Sequence, residues 1–218
     1  MRFDIITIFP KLFDSFLNES LIKKFLNKNG AVIKIHNLRN WTKDKHKKVD
    51  DKPYGGGPGM ILMAPPIIAA IKNVKMKSKK NKVILLTPGG EQFNQKKAAE
   101  LLKANQVIFI CGRYEGVDAR VEKIIDEKIS IGPYIMSGGE LPAMVIMETM
   151  MRLMSGYLGN PESLKEETKF LKSGKKNEYA QYTRPAEIKI GRKKHFVPRV
   201  LLSGHHKKIL TWRKIVDK

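Results

Sequence analysis

Apolar positions along this chain of 218 residues switch repeatedly between strand-like runs and helical spacing, which predicts an α/β fold with a mostly parallel sheet. Phe3–Phe9 is rich in isoleucine and phenylalanine and is stopped by Pro10. A helical pattern follows from Lys11 to about Asn27, with Gly30 as its C-cap, and Ala31–His36 reads as a second strand. Residues 40–60 lose periodicity and collect charge and glycine, as a long loop does. Pro65–Val74 is apolar at helical spacing, and Val83–Leu86 is a short strand ending at Thr87-Pro88-Gly89-Gly90. Asn94 is placed to cap a helix running to about Lys103, ahead of a strand at Val107–Cys111. Val117–Ile125 is amphipathic, Lys128–Ile131 is a strand, and Glu140–Met154 is a strongly apolar helix. The chain then turns polar, which predicts three parts: a domain over 1–158, a linker over 159–180 and a small helical C-terminal domain over 181–218.

Composition narrows the partners. Forty-two Lys and Arg against 21 Asp and Glu give a formal charge of +21, which favours a polyanion such as nucleic acid. Lysine dominates that excess, so part of it reflects an A/T-rich coding bias, and charge alone does not fix the partner. Cys111 is the single cysteine, which excludes an internal disulfide and any multi-cysteine zinc site. No apolar run nears the ~20 residues of a membrane span, and the N-terminus enters a strand without a signal-peptide layout. These features predict a cytoplasmic protein with no membrane association.

Candidate chemistry gathers between Cys111 and Ala143. Two glycine turns, Cys-Gly-Arg-Tyr-Glu-Gly (111–116) and Ser-Gly-Gly-Glu-Leu-Pro-Ala (137–143), each follow a strand-like run. Leu86–Gly90, Gly112–Gly116 and Ile131–Gly139 then make three loops at one edge of a parallel sheet, where ligands of such folds bind. Neither Gly-x-Gly-x-x-Gly nor a Walker loop is present. Glu115 and Glu140 read as buried acids beside the turns, and the helix beginning at Glu140 would aim amide donors at the site. Arg152, among methionines and leucine, reads either as a cation complementing its helix end or as a functional group. The pair His205-His206 lacks the partner set of a metal site and reads as a helix start.

Several segments together resemble the bacterial tRNA (guanine-N1)-methyltransferases of the SPOUT superfamily. They are Val49–Met60 (VDDKPYGGGPGM), Cys111–Gly116, Ile131–Ala143, Tyr182-Thr183-Arg184-Pro185 and Val200–His206 (VLLSGHH), in the family's order and at similar spacing. The resemblance implies a deep trefoil knot holding S-adenosyl-L-methionine in a bent shape. Its implied cofactor contacts are Leu86, Pro88, Gly112, Glu115, Ile131, Gly132, Pro133, Tyr134, Ile135, Met136, Gly138, Gly139 and Pro142. Pro133 stands where the family often has an acid, which leaves only its carbonyl and ring for contact. Asp50, Lys52, Tyr54, Gly57, Pro58, Gly59 and His205 fall on implied RNA-contacting positions. Arg152 falls on the catalytic arginine, and Glu167 on the general base, where the family usually has Asp; Glu166 is the neighbouring alternative. The implied enzyme is a homodimer whose active site is completed across subunits, methylating N1 of the guanine immediately 3′ of the anticodon in tRNA. Mg2+ is compatible with that chemistry, and no residue pattern points to it. The chain stops at Lys218, where the family continues into a longer helical tail.

Overall fold

A computed structural model describes residues 1–28, 30–77, 80–160 and 180–215. The chain divides into two compact units, Met1–Gly159 and Asn160–Lys218.

The first unit is built on a five-stranded parallel sheet of β1 (Arg2–Thr7), β2 (Val32–Asn37), β5 (Asn81–Gln92), β6 (Gln106–Cys111) and β7 (Glu127–Ser130), in the order β2-β1-β6-β5-β7. Side chains alternate between its two faces, and both faces are apolar. Phe3, Ile5, Ile84, Leu86, Val107 and Phe109 pack one way, with Phe13, Phe25, Ile146 and Met147. Ile6, Val83, Leu85, Ile108 and Ile110 pack the other way, with Leu38, Ile67 and Ile71. A sheet covered on both faces explains why these strands read as continuous apolar runs. The helices covering it are α1 (Asp14–Asn18), α2 (Ser20–Asn27), α3 (Ala64–Val74), α4 (Gln95–Leu101) and α5 (Glu140–Arg152).

Asp4 of β1 centres a buried polar cluster with Arg2, with His36 of β2 and with Gln106 at the amino end of β6. The Asp4 carboxylate accepts from Arg2 Nε at 2.7 Å, from Arg2 Nη2 at 2.7 Å and from Gln106 Nε2 at 2.6 Å, and lies 2.7 Å from His36 Nε2. Burial pushes the Asp4 carboxyl up, but hydrogen bonds from His36, Arg2 and Gln106 outweigh it and hold the group below its ordinary range.

Four sequence expectations need correction. The single helix from Lys11 to Asn27 is a 3-10 turn (Pro10–Phe13) followed by α1 and α2, broken where Glu19 is extended and Ser20 takes φ +52°. Gly30 is not the left-handed cap. Its N–H bonds the Phe25 carbonyl at 3.0 Å, and a Cβ there would overlap the Phe25 ring. The strand expected to end at Leu86 runs on to Gln92, because β5 keeps pairing with β7 after a register shift between Leu86 and Glu91. Gly90 is needed there for close approach, since a Cβ would lie 2.5 Å from the Ile129 nitrogen. The loop over 40–60 is also closed by a short antiparallel pair, β3 (Asp50–Asp51) with β4 (Ile61–Leu62).

In the second unit, β8 (Glu187–Ile190) and β9 (Lys193–Phe196) form an antiparallel hairpin. Its turn places Gly191 at φ +60°, first of the two central residues, which is where a type II′ turn wants glycine. Two helices follow, α6 (Arg199–Leu202) and α7 (His206–Ile215), and the rings of Tyr182 and Trp212 lie 6.2 Å apart. The hairpin escaped the sequence reading because its strands are only four residues long, rich in lysine and wholly exposed, although Glu187-Ile188-Lys189-Ile190 does alternate.

Candidate active site

β6 and β7 lie on opposite sides of β5, so the loops leaving all three carboxyl ends meet. Between them is a cleft of about 410 Å³, within the range of small-molecule sites. Of the thirteen cofactor positions implied by the sequence, twelve line this cleft: Leu86, Pro88, Gly112, Glu115, Ile131, Gly132, Tyr134, Ile135, Met136, Gly138, Gly139 and Pro142. Pro133 is exposed and stands outside the lining. The walls are apolar from Leu86, Ile131 and Pro142 and polar from backbone. Ser130, buried at the end of β7, donates from its hydroxyl to the Gly132 carbonyl at 2.9 Å and fixes that turn. The Tyr134 hydroxyl reaches back to the Ile131 carbonyl at 3.3 Å.

The expectation of two buried acids holds for one. Glu140 is 1% exposed, whereas Glu115 is exposed and lies over Gly59. The difference follows from position. Glu140 opens α5 beneath the turn, where Arg113 Nε donates to its Oε2 at 2.9 Å and the Thr7 hydroxyl donates to its Oε1 at 2.6 Å. Glu115 sits on the outer rim, where its own N–H donates to the Met60 carbonyl at 3.0 Å. That bond, with Leu62 N–H to the Gly116 carbonyl at 3.0 Å, stitches the end of the Tyr54–Met60 loop to the cleft wall.

The loop itself is glycine-rich by necessity, since Gly55, Gly56, Gly57 and Gly59 all have positive φ. Tyr54 at its head is fully exposed, and Lys52, Gly57, Pro58 and Gly59 are exposed with it; Asp50 is half-buried in β3. His205 precedes α7 in the second unit, its carbonyl accepting from Ile209 N–H at 3.0 Å. Among the described residues no three His, Cys, Asp or Glu side chains gather as a metal site.

Arg152 is not brought to this cleft. It ends α5, whose first turn borders the cleft, and 12 residue steps at a rise of about 1.5 Å put it roughly 18 Å away. It is half-buried near Tyr157, whose phenol burial and Glu148 push up to about 12 while Arg152 pulls it down. Leu141, Val145, Thr149 and Arg152 follow one another along one stripe of α5, and Leu141 and Val145 are 59% and 45% exposed. Glu167 and Glu166 lie outside the described residues.

The sequence reading passed over Arg113, Tyr114, Thr87 and Ser137, which also line the cleft. Tyr114 takes φ +58°, a costly conformation for a large side chain and one that clusters at functional sites. The signal was its place inside a glycine turn, which conceals which residue bears the unusual φ.

Fold and cleft together define a parallel α/β protein with a cleft of small-molecule size between the loops of three neighbouring strands. The family profile described as tRNA (Guanine-1)-methyltransferase TrmD matches residues 1–218. A tRNA (guanine-N(1)-)-methyltransferase of Dictyoglomus turgidum is 50% identical over 214 residues, covering 98% of this chain and 84% of that protein. One from Clostridium botulinum strain Kyoto is 48% identical, covering 98% and 85%. The crystal structure of tRNA (m1G37) methyltransferase from Aquifex aeolicus matches with a TM-score of 0.79 at 38% identity, over 97% of this chain and 87% of that one. The chain belongs to the TrmD family of tRNA (guanine-1)-methyltransferases.

Proposed function

We propose that this protein transfers the methyl group of S-adenosyl-L-methionine to N1 of the guanine immediately 3′ of the anticodon, position 37, in tRNA. The observation that carries the proposal is the three-loop cleft in a chain that belongs to this family. The cleft fits the cofactor in kind. Leu86, Ile131 and Pro142 offer apolar walls to an adenine ring, and the turns at Gly112 and at Gly132–Met136 offer backbone donors and acceptors. A Cβ at Gly89 or Gly116 would meet nothing within 4 Å, so space remains beside the backbone for a ligand. These three loops are the ones a trefoil knot of the SPOUT superfamily would contain.

Bound there, S-adenosyl-L-methionine supplies a methyl group already activated on a sulfonium. The chain supplies alignment and proton removal. Guanine N1 carries a proton and becomes a nucleophile on losing it. Glu167 accepts that proton, and Arg152 stabilises the negative charge that develops on O6. Glu166 is the alternative base. No step is assigned to Mg2+.

A homodimer accounts for the distance of Arg152 from its own cleft. The exposed apolar stripe of α5 would pack on a second copy, and a two-fold axis near the middle of that helix turns it end for end. Arg152 of one subunit then approaches the cleft of the other. Tyr54, Lys52 and the glycine loop would receive the splayed base, with Asp50 and His205 as further RNA contacts, and the basic runs at 43–52, 72–82 and 189–194 would track phosphates. The domain at 1–158 would hold the cofactor and the base-facing loop, and the domain at 181–218 would add further tRNA contacts. No described helix is long and apolar enough to cross a membrane, and the proposed site of action is the cytoplasm.

The test is methyl transfer from labelled S-adenosyl-L-methionine to unmodified tRNA and to ribosomal RNA transcripts. Labelled tRNA supports the proposal. Label confined to ribosomal RNA, or cofactor binding undetectable by calorimetry, overturns it.

A further inference from the structure

The cleft has two facing walls, the turn at 112–116 and the segment 131–139, and Glu140 bolts them together from behind. Its side chain is buried and opens the first turn of α5. One carboxylate oxygen accepts from Arg113 Nε at 2.9 Å, and Arg113 belongs to the first wall. The other accepts from the Thr7 hydroxyl at 2.6 Å, at the end of β1. Thr7 in turn accepts from the Phe9 N–H at 2.9 Å, and the Phe9 ring lies under the Arg113 guanidinium at 4.6 Å. Backbone pairing follows the same seam. Gly139 N–H donates to the Gly112 carbonyl at 2.9 Å, and Arg113 bridges Gly138. Gly138 leaves room for the bolt, since a Cβ there would lie 2.6 Å from Glu140 Oε2.

We infer that Thr7 and Glu140 are positioning residues that set the width of the cofactor cleft through Arg113. This rests on the cofactor reading of the cleft given above. Thr7 does not line the cleft, so it acts on a ligand only through Glu140. A buried carboxylate with two charge-assisted partners is a rigid link in low dielectric, and losing one partner frees both the acid and the wall it holds.

The inference predicts an effect on cofactor affinity from a residue that cannot touch the cofactor. Thr7→Val keeps shape and removes the hydroxyl. Its dissociation constant for S-adenosyl-L-methionine, measured by calorimetry, should rise about tenfold, the size of one lost hydrogen bond to a charged group. Thr7→Ser, which keeps the hydroxyl, should restore wild-type affinity. Glu140→Gln, which turns an amide donor toward Arg113, should weaken binding as Thr7→Val does. For all three variants, KM for tRNA at saturating cofactor should stay unchanged. A residue that only stabilises the fold would lower the melting temperature and leave the dissociation constant alone. Wild-type affinity in both Thr7→Val and Glu140→Gln overturns the inference while leaving the cofactor reading intact. Absence of binding by the wild-type protein overturns the cofactor reading itself, and the inference with it.

Discussion

Gly139→Ala is the smallest change that tests whether the cleft walls are held as the structure shows. Gly139 has φ −83° and ψ −3°, a conformation alanine adopts freely, so any penalty is steric. On backbone entropy alone the change would stabilise by about 0.4–1 kcal/mol. The added Cβ, however, would stand 2.7 Å from Cys111 Cα and 3.1 Å from Gly112 N. These are backbone atoms of a central strand and its turn, with no rotamer to yield. Relief to an ordinary 3.4 Å contact requires about 0.7 Å of movement. Taken along the Gly139–Gly112 hydrogen bond, that movement stretches it from 2.9 Å to about 3.6 Å, past bonding range. Overpacking of this kind destabilises by about 2 kcal/mol, which for a chain of this size lowers the melting temperature by about 4–8 °C. Gly89→Ala is the control, because its Cβ meets nothing within 4 Å, and it should melt with the wild type. Differential scanning calorimetry reads the stability and titration with S-adenosyl-L-methionine reads the cleft. A Gly139→Ala protein that melts and binds like wild type would show that the Gly139–Gly112 seam does not hold the cleft walls.

Arg152→Ala and Glu167→Gln should keep cofactor affinity by calorimetry and lose methyl transfer; full activity in Glu167→Gln would move the base elsewhere, with Glu166 next in line. If Arg152 serves the partner's cleft, mixing inactive Arg152→Ala subunits with cleft-blocked Gly89→Trp subunits should recover about a quarter of wild-type activity through mixed dimers, whereas no recovery would place Arg152 and the cleft in one subunit. Asp4→Asn should lower stability to urea by about 3 kcal/mol at neutral pH, as expected for a buried, multiply bonded carboxylate. Because the folded pKa of Asp4 lies below its unfolded value, its contribution is complete above about pH 4 and fades as pH falls through the folded pKa, so the gap between variant and wild type should close in acid.

Much of the sheet was legible because its physics is local. β1 and β6 carry apolar stretches bounded by turn residues, β2 is rich in β-branched residues, and Asn94 announces α4 by a cap that accepts from Lys97 N–H at 3.0 Å. The continuation of β5 beyond Thr87-Pro88-Gly89-Gly90 was not legible, since those residues signal a turn and β5 regains its pairing with β7 only at Glu91 and Gln92. The break at Ser20 was hidden for a similar reason, as nothing in the helical spacing marks a serine with positive φ. At the site, glycine spacing located the three loops, and the resemblance supplied roles for single residues. What neither gave was the partnership of Glu140 with Thr7, 133 positions apart, or the distance that separates Arg152 from the cleft of its own chain.

The proposed reaction methylates one nitrogen on one base. Incubating the protein with S-adenosyl-L-methionine and an unmodified tRNA transcript, followed by nuclease mapping and mass spectrometry, tests it most directly. The expected product carries 1-methylguanosine at position 37 and is unmodified when that guanine is replaced by adenine. A methyl group on another atom or at another position, or none with cofactor bound, would contradict it.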